Sequence, residues 1–231
     1  MIFGRKNRKK DENPTVVDPD ENDETFQDAD DDLEGGDDAE EIDHRADGPF
    51  DYTEVDLEAD EVERIPFGPL IVTPFPGMNL QLHGDEESQS IYAALALYEN
   101  SGLELALFAA PRTGGLADEL REDTVEESEQ AGGSAEVADG PFGPEVRRVL
   151  PMEGPEGEQM FHVSRIWMVE GPRWLLRGTL MGQAGMTEGE EAPADTFVEF
   201  FRNIIVRRDD APRVPGELIT LALPESAGEG S

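Results

Sequence analysis

The chain has 231 residues, with 54 acidic against 18 basic side chains, a formal charge of −36 and no cysteine. That charge opposes nucleic acid and anionic membrane over most of the surface, and the missing thiol rules out disulfide staples, thiolate zinc sites and cysteine nucleophiles. The length fits one folded domain with an appendage.

At the start, Arg5, Lys6, Arg8, Lys9 and Lys10 give way to Asp11 and Glu12 and not to an apolar run, so no export signal is read there and a cytoplasmic location is expected. From Asp11 to Asp47 the only cation is Arg45, and the few apolar residues are scattered. Such a segment cannot offset an ordering entropy of about 1–2 kcal/mol per residue, so residues 1–47 read as a disordered tail. Inside it, Asp30, Asp32, Glu34, Gly35 and Glu41 partly match a calcium loop. Glu34 and Asp37 misfit their positions and no helices flank the loop, so diffuse cation attraction is expected and no metal site.

Residues 48–223 read as a single α+β domain, and 224–231 as a second disordered end. Asp51 to Glu63 is a short helix or an arm. Arg64 to Val72, with Pro66, Gly68 and Pro69, suits an edge strand. Met78 to His83 alternates as a half-buried strand, and Ile91 to Tyr98 with Leu103 to Ala109 forms a hairpin through Asn100, Ser101 and Gly102. The break at Glu99 to Ser101 also keeps this stretch short of the roughly 18 apolar residues a membrane span needs.

Leu116 to Gln130 is a helix ended by Gly132 and Gly133. Strands follow at Ser134 to Ala138, Glu145 to Leu150, Met160 to Val169 and Arg173 to Met181, the last two joined at Gly171 and Pro172. A second helix at Asp195 to Ile205 stacks Phe197, Phe200, Phe201 and Ile204, and Leu218 to Leu223 adds a strand or packs across the core. Strands in hairpin succession with two separated helices predict a mostly antiparallel sheet with the helices packed on it.

No phosphate loop, dinucleotide fingerprint, nucleophile elbow or zinc motif occurs, and His44, His83 and His162 have no metal-binding spacing, so neither catalytic residue nor cofactor is assigned. Asp-Gly-Pro-Phe occurs twice, at Asp47 to Phe50 and Asp139 to Phe142, and reads as turn chemistry with an anchoring aromatic.

Cations and tryptophans gather in the C-terminal half, among them Arg147, Arg148, Arg165, Trp167, Arg173, Trp174 and Arg177. Alternation places Arg165 with Trp167 on one face of their strand and Arg173 with Arg177 on one face of the next. Arg165, Trp167, Arg173 and Arg177 are therefore the candidate partner-binding residues. The alternative is that the tryptophans are core and the arginines neutralise nearby acids.

Gly48-Pro49-Phe50-Asp51 with Glu54 to Asp56, Arg64 to Gly68, Pro76-Gly77-Met78, Phe108 to Arg112, Asp139 to Glu145 and Gly171 to Gly178 together resemble an uncharacterised actinobacterial family known only as a domain of unknown function, family 3710. Phe50 stands where the family pattern leads to tryptophan. The resemblance covers most of residues 48–223 and implies a charged, low-complexity N-terminus ahead of the domain in a cytoplasmic actinobacterial protein; it carries over no catalytic residue.

Two functions fit. The first is a noncatalytic interaction or regulatory protein whose arginine face binds another protein, with the acidic tail competing for that face; nucleic acid is opposed by charge except at an arginine patch. The second is a small-molecule or nucleotide-phosphate-binding domain, with or without an enzymatic activity. Oligomeric state is not readable.

Overall fold

The computed structural model describes residues 43–85 and 87–224. The expected tail over 1–42, with its partial calcium-loop match, and the final residues 225–231 lie outside the described residues. Before Gly48, turns over 44–47 already belong to the folded unit, because Arg45 makes two hydrogen bonds to the Glu54 carboxylate, at 2.5 and 2.6 Å.

The strands are β1 (Phe50–Asp51), β2 (Ile65–Phe67), β3 (Leu70–Val72), β4 (Asn79–Asp85), β5 (Ser90–Tyr98), β6 (Ser101–Ala109), β7 (Ser134–Gly140), β8 (Gly143–Glu153), β9 (Gln159–Gly171), β10 (Trp174–Gly182) and β11 (Ile205–Val206). The helices are α1 (Leu116–Gln130), between β6 and β7, and α2 (Ala194–Arg202), between β10 and β11. Seven strands form one antiparallel sheet in the order β4-β5-β6-β10-β9-β8-β7, and four short ones form a second sheet in the order β1-β11-β3-β2. The protein is thus α+β with mostly antiparallel pairing and two helices.

The large sheet joins two meanders, β4-β5-β6 and β7-β8-β9-β10, through the β6–β10 pair, with α1 crossing between them. On one face Leu103, Leu105 and Leu107 of β6, Trp167 of β9 and Trp174, Leu176 and Leu180 of β10 meet Phe197, Phe200 and Phe201 of α2 and the small sheet. On the other, Val146, Ile166, Met168 and Leu175 pack beneath Leu116 and Ala117 of α1. α1 starts at its expected residue because Glu170 of β9 accepts the orphan amides of Gly115 (3.0 Å) and Leu116 (2.9 Å), placing a negative charge at the positive helix end.

Two elements differ from expectation, and a third takes the second of its two expected forms, packing across the core. The Arg64 to Val72 segment is two strands, since Gly68 (φ 71°) turns the chain back on itself. α2 ends at Arg202, and Ile205 enters β11, because the small sheet offers Ile71 and Phe50 as partners on either side. The Leu218 to Leu223 segment is a strap in a split of the large sheet: β5 and β6 pair only from Ala94↔Leu105 onward, and Ile219 N–H donates to the Leu107 carbonyl (2.7 Å) while Leu221 N–H donates to that of Ile91 (2.8 Å).

Phe201 is buried against Phe142 (ring centroids 4.7 Å) and Trp167 (5.3 Å), and its ring fills the space a Cβ on Gly178 would take. Phe201→Ala leaves a cavity where α2 meets the sheet and is expected to cost about 3–5 kcal/mol, read from the urea midpoint.

Candidate functional site

The β7–β8 turn, Gly140 to Gly143, hands the chain into β8 so that Glu145 points into the core, where the residue is 0% exposed. A buried carboxylate is tolerable only when its lone pairs are met by donors. Arg165 supplies Nε at 2.9 Å to one oxygen and Nη2 at 2.9 Å to the other; Arg147 donates Nε at 3.0 Å and Trp167 its indole N–H at 2.8 Å. The remaining Arg165 nitrogen, Nη1, donates to the carbonyls of Thr187 (2.9 Å) and Gly189 (2.7 Å), tying the loop before α2 to the sheet. Gly140 lies so close that a Cβ there would meet Glu145 Oε2 at 2.7 Å.

The first Asp-Gly-Pro-Phe copy builds the same kind of site. Asp51, just past it, accepts the Trp174 indole N–H at 2.8 Å on Oδ2, and on Oδ1 the Thr53 hydroxyl (2.6 Å) and amide (3.0 Å). Arg45 lies 5.8 Å over the Trp174 ring, as Arg165 lies 5.7 Å from the Trp167 ring. Burial pushes the Asp51 carboxyl up, but the hydrogen bonds from Thr53 and Trp174 and the charge of Arg45 outweigh it and hold its pKa below the ordinary range. Glu54, chiefly through its hydrogen bond from Arg45, is lowered too.

The four residues expected to bind a partner are not on one surface. Arg165 is 2% and Trp167 1% exposed, both committed to Glu145. The β9–β10 turn has two residues, Pro172 and Arg173, so Arg165 pairs with Leu180 and Arg177 with Met168, which puts Arg177 on the opposite face of the sheet from Arg165. The patch that alternation suggested therefore does not assemble, and the alternative reading of Trp167 and Arg165 as interior holds at these positions. Arg173 sits in the turn at φ 64°, costly for a side chain with a Cβ; its carbonyl accepts the Ala110 amide (3.1 Å) and its guanidinium meets Asp210 (3.2 Å).

Arg177 has Arg148 for company instead, on the face that carries α1. Arg177 lies 5.1 Å over the Phe108 ring, and its Nε is buried without a hydrogen-bond partner among the described residues. Among the described residues Arg148 Nε donates only to Ser164 Oγ, at 3.2 Å. Neither guanidinium reaches a described carboxylate within ion-pair distance, although Glu104 and Glu127 lie near enough to be felt. Burial lowers both pKa values, and Arg177 lowers that of Arg148 further. Arg148 is visible in the sequence as one of the gathered cations, but only the β8–β9 register brings it to the Arg177 face.

On the opposite face a cleft of about 300 Å³ opens between β7–β9 and the 185–188 loop, lined by Ser134, Glu136, Arg147, Val149, Val163 and Met186 among others. Among the described residues no group of three or more histidine, aspartate or glutamate side chains is placed to hold a metal ion, and no helix is long and apolar enough to cross a membrane.

Glu145→Ala is expected to destabilise by about 3–5 kcal/mol by stranding Arg165, whereas Arg177→Gln should cost about 1 kcal/mol or less; urea unfolding followed by tryptophan fluorescence separates the two. A carboxylate with a lowered folded-state pKa contributes stability that is complete above its unfolded pKa of about 4 and is lost as pH falls through the folded value. Stability measured from about pH 5 down to pH 2.5 should therefore fall, and less steeply in Asp51→Asn.

No curated protein matches this chain. A solution structure of cyanobacterial PsbP (CyanoP) from Synechocystis sp. PCC 6803 is similar at a TM-score of 0.34 and 9% identity, over 62% of this chain and 91% of that one, too distant to inform fold or function. The family model described as "Protein of unknown function (DUF3710)" matches residues 48–230, and the chain belongs to that family.

Proposed function

We propose that this is a noncatalytic, cytoplasmic interaction or regulatory protein that binds an acidic protein segment at the Arg148–Arg177 face, with its own acidic N-terminal segment competing for that face. The supporting observation is a pair of half-buried guanidinium groups with no carboxylate in ion-pair reach among the described residues, in a chain of charge −36. Other arginines of the domain, such as Arg45, Arg64, Arg165, Arg202 and Arg213, have ion-pair partners. Arg112 and Arg207 also lack one among the described residues, but both are exposed to solvent, which supplies what a partner would. A desolvated, unpaired cation is the costlier arrangement, and an anion arriving there recovers that cost.

The small-molecule reading has the 300 Å³ cleft in its favour, at the low end of ligand-sized cavities. Its buried guanidinium, Arg165, is spent on Glu145 and two carbonyls, and Arg147 also donates to Glu145. The cleft keeps the two outer nitrogens of Arg147, which the Glu188 carboxylate at 3.9 Å also attracts, whereas Arg177 on the other face has no carboxylate in ion-pair reach among the described residues; the interaction reading is therefore preferred.

A tethered acidic segment competes at an effective concentration set by its length, without new contacts. A fluorescent oligo-glutamate peptide titrated into three proteins tests this: the full chain, the chain lacking residues 1–42, and that truncation with Arg148→Gln and Arg177→Gln. Removing 1–42 should tighten binding, and losing both arginines should weaken it about tenfold, as expected for two screened charge contacts of about 0.5–1 kcal/mol each. Equal affinity in all three, with unchanged melting curves, sinks the reading.

A further inference from the structure

The β8–β9 hairpin outruns its neighbours. β7 stops pairing with β8 at Ser134↔Val149, and β10 stops pairing with β9 at Met181↔Ser164. Beyond them the rows Leu150↔His162, Pro151↔Phe161, Met152↔Met160 and Glu153↔Gln159 form a two-stranded ribbon. Phe161 is 60%, Met152 47% and Met160 42% exposed. Alternation puts Pro151 and Phe161 on one face and Met152 and Met160 on the other, so both faces of the ribbon are apolar. A ribbon of two strands is marginal by itself, and cross-strand pairs such as Met152 with Met160 add only modestly to it while their outer surfaces stay in water.

Two further features define what such an arm would meet. Its Phe161 face continues at the base into Val149, Val163 and the exposed Met186, which wall the cleft described above. Its tip carries Glu153, Glu156 and Glu158 in a tight loop, closed by Gly154 N–H to the Glu158 carbonyl (2.8 Å) and Gly157 N–H to that of Gly154 (3.0 Å). From Val149 to Ser164 there is no lysine or arginine.

We propose that the β8–β9 arm is a docking finger for a different protein, one that offers an apolar groove edged with lysine or arginine. Three carboxylates at the tip select cations at the rim, and the side chains behind them supply the buried contact. A second copy of this chain is opposed by its −36 charge, and a cytoplasmic membrane surface, itself anionic, by the tip carboxylates. The inference rests on the interaction reading only in taking the protein to be a binder of proteins; its residues are separate from Arg148 and Arg177.

A photo-crosslinking residue at position 161 of the full chain, with position 92 as an exposed control, is expected to give a discrete protein adduct in native cells from 161 alone. The captured protein, purified, is then titrated against the wild-type chain, Met160→Ser/Phe161→Ser, and Glu153→Gln/Glu156→Gln/Glu158→Gln. The apolar pair should weaken binding about 100-fold, as for a central hot spot. The glutamine variant should weaken it about tenfold at low salt, a difference that shrinks in about 0.5 M salt. Arg148→Gln/Arg177→Gln should bind the captured protein as the wild type does, so that failure here and failure of the arginine face are told apart. The proposal is overturned by no adduct at 161, by equal adducts at 161 and 92, by an adduct with a second copy or with lipid, or by a captured protein that binds all the variants alike.

Discussion

The buried Glu145 carboxylate is the constraint around which this domain is arranged. Its desolvation costs several kcal/mol, recovered only if every donor arrives in place. Arg165 and Trp167 must share a face of β9, Arg147 must stand two residues on in β8, and Gly140 must lack a side chain. The first two requirements exclude a slip of the β8–β9 register by one residue, which would turn Arg165 and Trp167 to the face opposite Glu145 and Arg147. Through its remaining nitrogen, Nη1, Arg165 carries the constraint to the loop that delivers α2. A single ionic centre thereby sets strand pairing, the β7–β8 turn and the approach of the aromatic helix.

The repeated Asp-Gly-Pro-Phe gains a physical meaning from this arrangement. Each copy is followed by a carboxylate, Asp51 or Glu145, that accepts a buried indole N–H, from Trp174 or Trp167. The two copies converge on the C-terminal end of α2. A Cβ at Gly48 would overlap the Arg202 carbonyl oxygen, while Phe142 packs on Phe201 and lies 5.8 Å from the Arg202 guanidinium. His44, just ahead of the first copy, packs where a Cβ on Gly143 would come within 3.0 Å. Glycine at Gly48 (φ 98°) and Gly143 (φ 84°) serves both the left-handed turn and the close approach. The turn-with-anchor reading of the motif was therefore correct in kind, but the acid beyond it does the anchoring together with the aromatic ring.

Elements whose information is local were legible in the chain. Alternation in β4 and the apolar runs of β5 and β6 gave strands, and Gly132 and Gly133 marked the end of α1. What failed was decided at a distance. Arg165 looks like a surface residue because arginine usually is one, and the carboxylate that draws it inside lies 20 residues away. The face of Arg177 was within reach: a two-residue turn at Pro172 and Arg173 sets odd-numbered residues of β9 against even-numbered ones of β10, so Arg165 shares a face with Trp174 and Leu176. Helical spacing continues through Ile204 and so predicts a longer α2, whereas pairing with the small sheet draws Ile205 out of the helix.

The concentration of cations in the C-terminal half follows from the same economy. Most are consumed internally: Arg165 by Glu145, Arg208 by the Arg173 carbonyl and Asp209, Arg213 by Asp209 and Glu217, Arg202 by Glu190. They hold loops and carboxylates that a chain so rich in acid cannot otherwise bring together. A cluster of arginines in an acidic sequence is thus weak evidence for an anion-binding surface until the acids within reach of each are counted. After that count the half-buried pair Arg148 and Arg177 stands apart on one face of the sheet, while the β8–β9 ribbon, with no lysine or arginine, keeps its acids and apolar groups in water. The domain therefore carries two unlike features, a pair of half-buried guanidinium groups on the α1 side of the sheet and an apolar arm with an acidic tip.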